Sequence, residues 1–236
     1  MPNIEEILRA KAQRVDETHR LQPGRTALLV VDMQHGFLDE GASLAVPEGR
    51  EIIPNLQRLI GACRESDVPV IFTEFVYATD VPCLRGDPFG IEHLPVEEGP
   101  VDQRPSTGLG SPSNNCLISP HYEKGAESAD TVEALAPRPD ELIVRGHTYD
   151  KFYGTPLDLA LRSQDVRHLM ITGIVTDVCV NATLMSASAR NYRVTAVTDG
   201  VATLWPERQQ ACFDIWEHKF ARLGTTEEMI EELREF

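Results

Sequence analysis

Three stretches of the chain are apolar almost without a break: residues 27–31 (ALLVV), 68–72 (VPVIF) and 168–172 (HLMIT). Two more, residues 141–144 (ELIV) and 192–197 (YRVTAV), are shorter or alternate more. Runs rich in β-branched residues without strict alternation suit strands covered on both faces, and hence a parallel sheet. Between them the spacing turns helical, in residues 52–60, 156–162 and 179–190. Strand and helix in alternation predict an α/β fold: a three-layer, doubly wound, mostly parallel sheet with helices on both faces. Such a fold binds its ligands beyond the carboxyl ends of the strands.

The two ends of the chain are polar. Residues 1–20 mix acids and bases at helical spacing and lack the apolar core of a signal peptide, so the expected location is cytoplasmic. Residues 225–236 (TTEEMIEELREF) predict a charged surface helix with Thr225 or Thr226 as its cap. One region breaks the rhythm. Residues 79–123 are rich in proline, glycine, serine and asparagine, and include RPSTGLGSPSNN. We expect a single domain over residues 1–236 with this region as a long loop or lid. A stretch of that length either covers a site or is merely linker-like, and both readings stand.

Composition narrows the partners. The formal net charge is −15, and only four of the 22 basic residues are lysines: Lys11, Lys124, Lys151 and Lys219. A surface this acidic repels phosphate backbones, which argues against nucleic acid and anionic membranes. No apolar run reaches the ~18 residues of a membrane span. The five cysteines are scattered and odd in number, with no C-x-x-C pair, as in a reducing compartment.

Two strand ends carry candidate chemistry. The first apolar run ends at Asp32, and a carboxylate there is costly to ionise unless something pairs with it. The bland alternative is a helix cap. The run ending near Gly173 leads through a short turn to Cys179, where a helix is expected to begin. A cysteine at a helix N-terminus feels the positive end of the dipole, which favours thiolate. The bland alternative is a small buried hydrophobe.

Together these segments resemble the isochorismatase-like cysteine hydrolases. That family pairs D-M-Q-x-x-F with T-G-x-x-T-x-x-C-V-x-x-T, matched here by residues 32–37 (DMQHGF) and 172–183 (TGIVTDVCVNAT). Residues 152–158 (FYGTPLD) resemble a third family segment, F-x-x-T-x-L-D. The resemblance runs from about Pro23 to Leu204 and is closest to the ureidoacrylate and biuret amidohydrolase branch. It implies Cys179 as nucleophile, Asp32 as the base that takes its proton, and a thioester intermediate. It also implies an oxyanion hole from the backbone N–H groups of Val175 and Cys179, presented by a cis peptide between Ile174 and Val175.

The family's third catalytic residue, a lysine after the third strand, falls at Gly146 in this chain. Lys151 lies five residues on with a four-carbon reach, and is the expected replacement. His147 comes next, and Arg145 flanks the gap on the other side. A solvated Lys151 is the alternative. Phe37, Glu74, Tyr149 and Phe152 are the candidate substrate contacts. The nicotinamidase branch holds a metal with D-x-H after its second strand. The matching stretch here, residues 73–77 (TEFVY), has no histidine, so neither metal nor other cofactor is expected.

The implied activity is hydrolysis of an amide, carbamoyl or ureido C–N bond in a small molecule, by a homodimer or homotetramer. Isochorismatase proper, which cleaves a vinyl ether, lacks the nucleophilic cysteine, so Cys179 argues against that chemistry. A catalytically degenerate chain that only binds or assembles is the alternative that Gly146 keeps open.

Overall fold

The computed structural model describes residues 3–40, 42, 45–76 and 129–236. The expected loop or lid at 79–123 lies outside them. Among the described residues, six parallel strands form one sheet: β1 (Thr26–Val31), β2 (Val70–Phe75), β3 (Leu142–Gly146), β4 (His168–Ile174), β5 (Arg193–Ala202) and β6 (Arg222–Gly224). Their spatial order is β3-β2-β1-β4-β5-β6. The direction of winding reverses between β1 and β4, and an open α/β sheet offers its ligand crevice at that switch point.

The helices divide between the two faces. On one, α4 (Ile53–Glu65) and α8 (Thr226–Leu233) pack over Leu28 and Val30 of β1, Val70 and Phe72 of β2, and Met170 of β4. On the other, α5 (Leu157–Ser163) and α6 (Asn181–Ala189) cover Ala27, Leu29, Val31, Leu169 and Ile171. Successive residues of β1 and β4 thus enter opposite cores, which explains why their sequences are apolar throughout. Outside these layers lie α1 (Ile4–His19), the single turns α2 (His35–Leu38) and α3 (Glu48–Glu51), and α7 (Pro206–Ile215).

Several expectations shift in detail. The helix expected from Cys179 starts instead at Asn181, preceded by one turn of π-helix over Thr176–Val180. The sixth strand was not expected; it is three residues long and contains Arg222, which pairs with Glu232 at 2.7 Å. The C-terminal helix is capped by Thr225 through a capping box with Glu228. It is less of a surface helix than its charges suggest, because Met229, Ile230 and Leu233 are buried against α4 and the sheet. Among the described residues, no helix is long and apolar enough to cross a membrane.

Candidate active site

β1 and β4 are neighbours in register, with Val31 opposite Gly173. Their carboxyl ends therefore open side by side. Gly173 has φ +107°, and a Cβ there would lie 2.1 Å from the Val31 carbonyl oxygen. Only glycine permits that approach. Beyond it the Ile174–Val175 peptide is cis, and the π-turn carries Cys179. On the β1 side the backbone turns left-handed at Asp32, φ 53°, a conformation aspartate tolerates better than most residues.

Asp32 is 1% exposed and both its oxygens are engaged. Thr73, at the matching height of β2, donates its hydroxyl to Oδ1 at 2.7 Å. Lys151 Nζ lies 2.7 Å from Oδ2, as a buried ion pair. The Lys151 side chain is itself 1% exposed. Its ammonium also donates to the Thr148 carbonyl at 3.1 Å and sits 5.0 Å from the centre of the Phe75 ring. A buried lysine of this kind persists only when paired and hydrogen-bonded. Lys151 thus lies where the sequence required a cation, although Gly146 aligns with the family's lysine.

The neighbouring residues take other directions. Arg145 pairs with Glu74 at 2.8 Å and Asp130 at 3.2 Å. His147 is buried and makes contacts of its own. Gly146 does not use the left-handed region that distinguishes glycine. A Cβ there would come within 3.1 Å of Thr155 Cγ2, so lack of bulk is what the loop uses.

Cys179 is 5% exposed and closes the group. The Lys151 ammonium and the Asp32 carboxylate both lie near enough to act on its thiol. Burial pushes the thiol well above its ordinary range, against the pull of the nearby Lys151 ammonium. This corrects the expectation of a helix terminus favouring thiolate. Desolvation outweighs the pull of Lys151, and the neutral thiol is the favoured form. In chemical terms the cluster can move a proton from sulfur to Asp32 beside a fixed positive charge.

The expected substrate contacts divide. Phe37 packs on Phe75 with ring centres 6.3 Å apart, and Tyr149 stacks on Phe75 at 5.8 Å, nearly parallel. These rings stand beside Lys151. Glu74 and Phe152 have other work. Glu74 is buried and receives Arg145 and the N–H and hydroxyl of Thr131, which leaves it part of the scaffold. Phe152 is buried in the core under α5 and α6, stacked on Tyr192 and capped by the Arg190 guanidinium. Their assignment as substrate contacts fails because each side chain faces its own partners.

Sequence reasoning missed Thr73 and Phe75, which lie on β2, and the work done by Gln34. The Gln34 side chain accepts from the Phe75 N–H at 2.8 Å and donates to the Ala129 carbonyl at 2.6 Å. The D-M-Q segment thus contains the carboxylate, a core methionine and an amide that fixes the end of β2. Among the described residues, no group of three or more His, Cys, Asp or Glu side chains is arranged to hold a metal ion.

Comparison with known proteins identifies the fold and the family. The chain is 31% identical over 218 residues to a ureidoacrylate amidohydrolase, RutB, of Pseudomonas syringae pv. syringae, covering 84% of this chain and 80% of that one. In structure it is similar to a cysteine hydrolase from Pseudomonas syringae pv. phaseolicola, with a TM-score of 0.69, 26% identity and coverage of 92% and 95%. It is also similar to an N-carbamoylsarcosine amidase from Thermoplasma acidophilum, with a TM-score of 0.62, 25% identity and coverage of 86% and 96%. The isochorismatase domain model matches residues 26–228. A six-stranded parallel sheet among the described residues and a family model spanning most of the chain agree: this protein belongs to the isochorismatase family.

Proposed function

We propose that this protein hydrolyses an amide, carbamoyl or ureido C–N bond of a small molecule, with Cys179 as nucleophile, Asp32 as proton carrier and Lys151 as the fixed cation. The observation that carries the reading is the buried Lys151–Asp32 pair, with the buried Cys179 thiol close enough to feel both charges. The names of the relatives, an amidohydrolase of ureidoacrylate and an amidase of N-carbamoylsarcosine, support the class of bond.

The steps follow from the geometry. As substrate closes over the thiol, its proton passes to Asp32 and sulfur attacks the carbonyl carbon. Lys151 offsets the negative charge shared by carboxylate and sulfur. The backbone N–H groups of Val175 and Cys179 receive the oxyanion, and donors of this kind lower barriers by ~3 kcal/mol each. The C–N bond then breaks, and Asp32 returns the proton to the departing nitrogen. Water attacks the thioester, Asp32 takes the water's proton, the C–S bond breaks, and the proton goes back to sulfur. The Phe75 ring, with Phe37 and Tyr149 packed on it, lies beside the Lys151 ammonium. The binding-only alternative rested on Gly146, and a buried cation supplied by Lys151 weighs against it.

The test is a panel of small amides, carbamoyl compounds and ureides assayed for release of ammonia. Turnover of at least one, abolished in Cys179→Ala, is the expected result. No turnover of any, with tight binding of some, would establish the binding-only alternative instead. We also expect exhaustive chelation to leave turnover unchanged; loss on chelation that zinc or manganese restores would overturn the metal-free mechanism.

A further inference from the structure

Lys151 belongs to neither strand nor helix, yet its ammonium sits at ion-pair distance from Asp32 in a site without room for error. What holds it is a set of side chains on α6. The Thr183 hydroxyl is buried, accepts the Lys151 N–H at 3.1 Å and donates to the Tyr149 carbonyl at 3.2 Å. One hydroxyl thereby bridges both sides of Asp150. Three residues further along the same face of α6, Ser186 donates to Asp150 Oδ2 at 2.7 Å. The other oxygen of Asp150 accepts the Phe152 N–H at 2.8 Å. From the far side, the Thr155 hydroxyl donates to the Lys151 carbonyl.

We infer that Thr183 is a positioning residue for Lys151, with Ser186 as its auxiliary, so that the helix following the nucleophile also places the displaced cation. This rests on the catalytic reading above. The reasoning is geometric. A lysine side chain has four rotatable carbons, and an unanchored loop would let the ammonium wander among rotamers. Fixing the backbone N–H and C=O of residue 151 removes the loop's share of that freedom. Gly146 completes the device, since a Cβ there would crowd Thr155, one of the anchors. Residue 151 is thus held from both sides by hydroxyls, Thr183 of α6 on its N–H and Thr155 on its carbonyl.

Thr183→Val keeps the shape of the side chain and removes both hydrogen bonds. Measured on the best substrate of the panel, its kcat should fall about 10- to 100-fold, the scale of a misplacement near 1 Å, with KM changed less than about threefold. Thr183→Ser should recover most of the loss, because it restores the hydroxyl. Ser186→Ala should lower kcat in the same direction by about three- to tenfold, again with little change in KM. A folded Thr183→Val with kcat within twofold of wild type overturns the inference, as does a loss that Thr183→Ser fails to recover. Should Thr183→Val fail to fold, Ser186→Ala decides: unchanged kcat overturns the inference. Lys151→Met separates the two levels. If it is inactive while the α6 variants are normal, only the positioning role falls; if it is fully active, the catalytic reading falls and takes the positioning role with it.

Discussion

Asp32 follows β1 directly and Cys179 lies in the turn that follows β4, while Lys151 rides on a loop between β3 and α5. Backbone hydrogen bonds between β1 and β4 fix Asp32 and the start of that turn, with Val31 opposite Gly173 and the two cores gripping alternate side chains. The third residue has no ladder. It is placed by the hydroxyls of Thr183 and Thr155, and through Asp150 by Ser186. The contrast shows two routes to the same precision. A residue beside a strand end inherits its position from the whole fold, whereas a loop residue depends on a few particular side chains.

The largest effects should come from the strand-end pair. Cys179→Ser changes one atom and should fold as the wild type does, yet lose about a thousandfold or more in kcat, as removal of a nucleophile does. Retention of more than about a tenth of the activity would make Cys179 structural. Asp32→Asn should match it, because an amide can neither take the thiol proton nor balance Lys151.

Lys151→Met tests the loop side. We expect a steep loss of kcat together with about 3–5 kcal/mol of stability, since the Asp32 charge would stay buried without its partner. Urea denaturation measures the second part. A variant as stable as the wild type would mean that the pair is better solvated than its 1% exposure indicates.

A subtler difference concerns protonation. Burial holds the Cys179 thiol above its usual range, so the rate of its alkylation by iodoacetamide should climb with pH and not level off before about pH 9. A plateau below neutrality would reveal a resting thiolate and a base with no work to do. The linked effect on stability has a definite sign. Above the unfolded thiol's pKa the unfolded chain binds fewer protons than the folded one, so the buried Cys179 and Cys63 make stability fall as pH rises past that point. The smallest effect belongs to Glu74. Glu74→Gln should cost about 1–3 kcal/mol through its charge-assisted bond with Arg145, and leave KM within about twofold. A large rise in KM would return Glu74 to the substrate pocket.

What could be read in the sequence follows the same division. The strands that bury both faces appear as continuous apolar runs, and the residues at their ends, Asp32 and Cys179, could be named as a pair. Lys151 could be named only because Gly146 left a charge unaccounted for; nothing local distinguishes it from a solvated loop lysine. Thr73 escaped notice because its partner lies 41 residues away, across a strand pairing whose register a sequence does not display. Phe75 escaped for the same reason. Glu74 and Phe152 were misplaced because alternation along a strand or loop does not say which side faces the crevice. Arg145 and Tyr192, which claim them, also lie far off along the chain.

Gly173 has a consequence beyond its own turn. Where its side chain would be, the backbone of Val31 passes, so the gap between the strands bearing acid and nucleophile is set by an absence of atoms. Larger or smaller residues in the surrounding cores can tilt helices and reshape the mouth of the crevice, but they cannot bring these two strands nearer. Any substituent at position 173 can only part them. Asp32 and Cys179, the proposed reactive pair, are thus mounted beside a mechanical stop, and the variety of substrates within such a fold must arise in the parts that are free to move away from it.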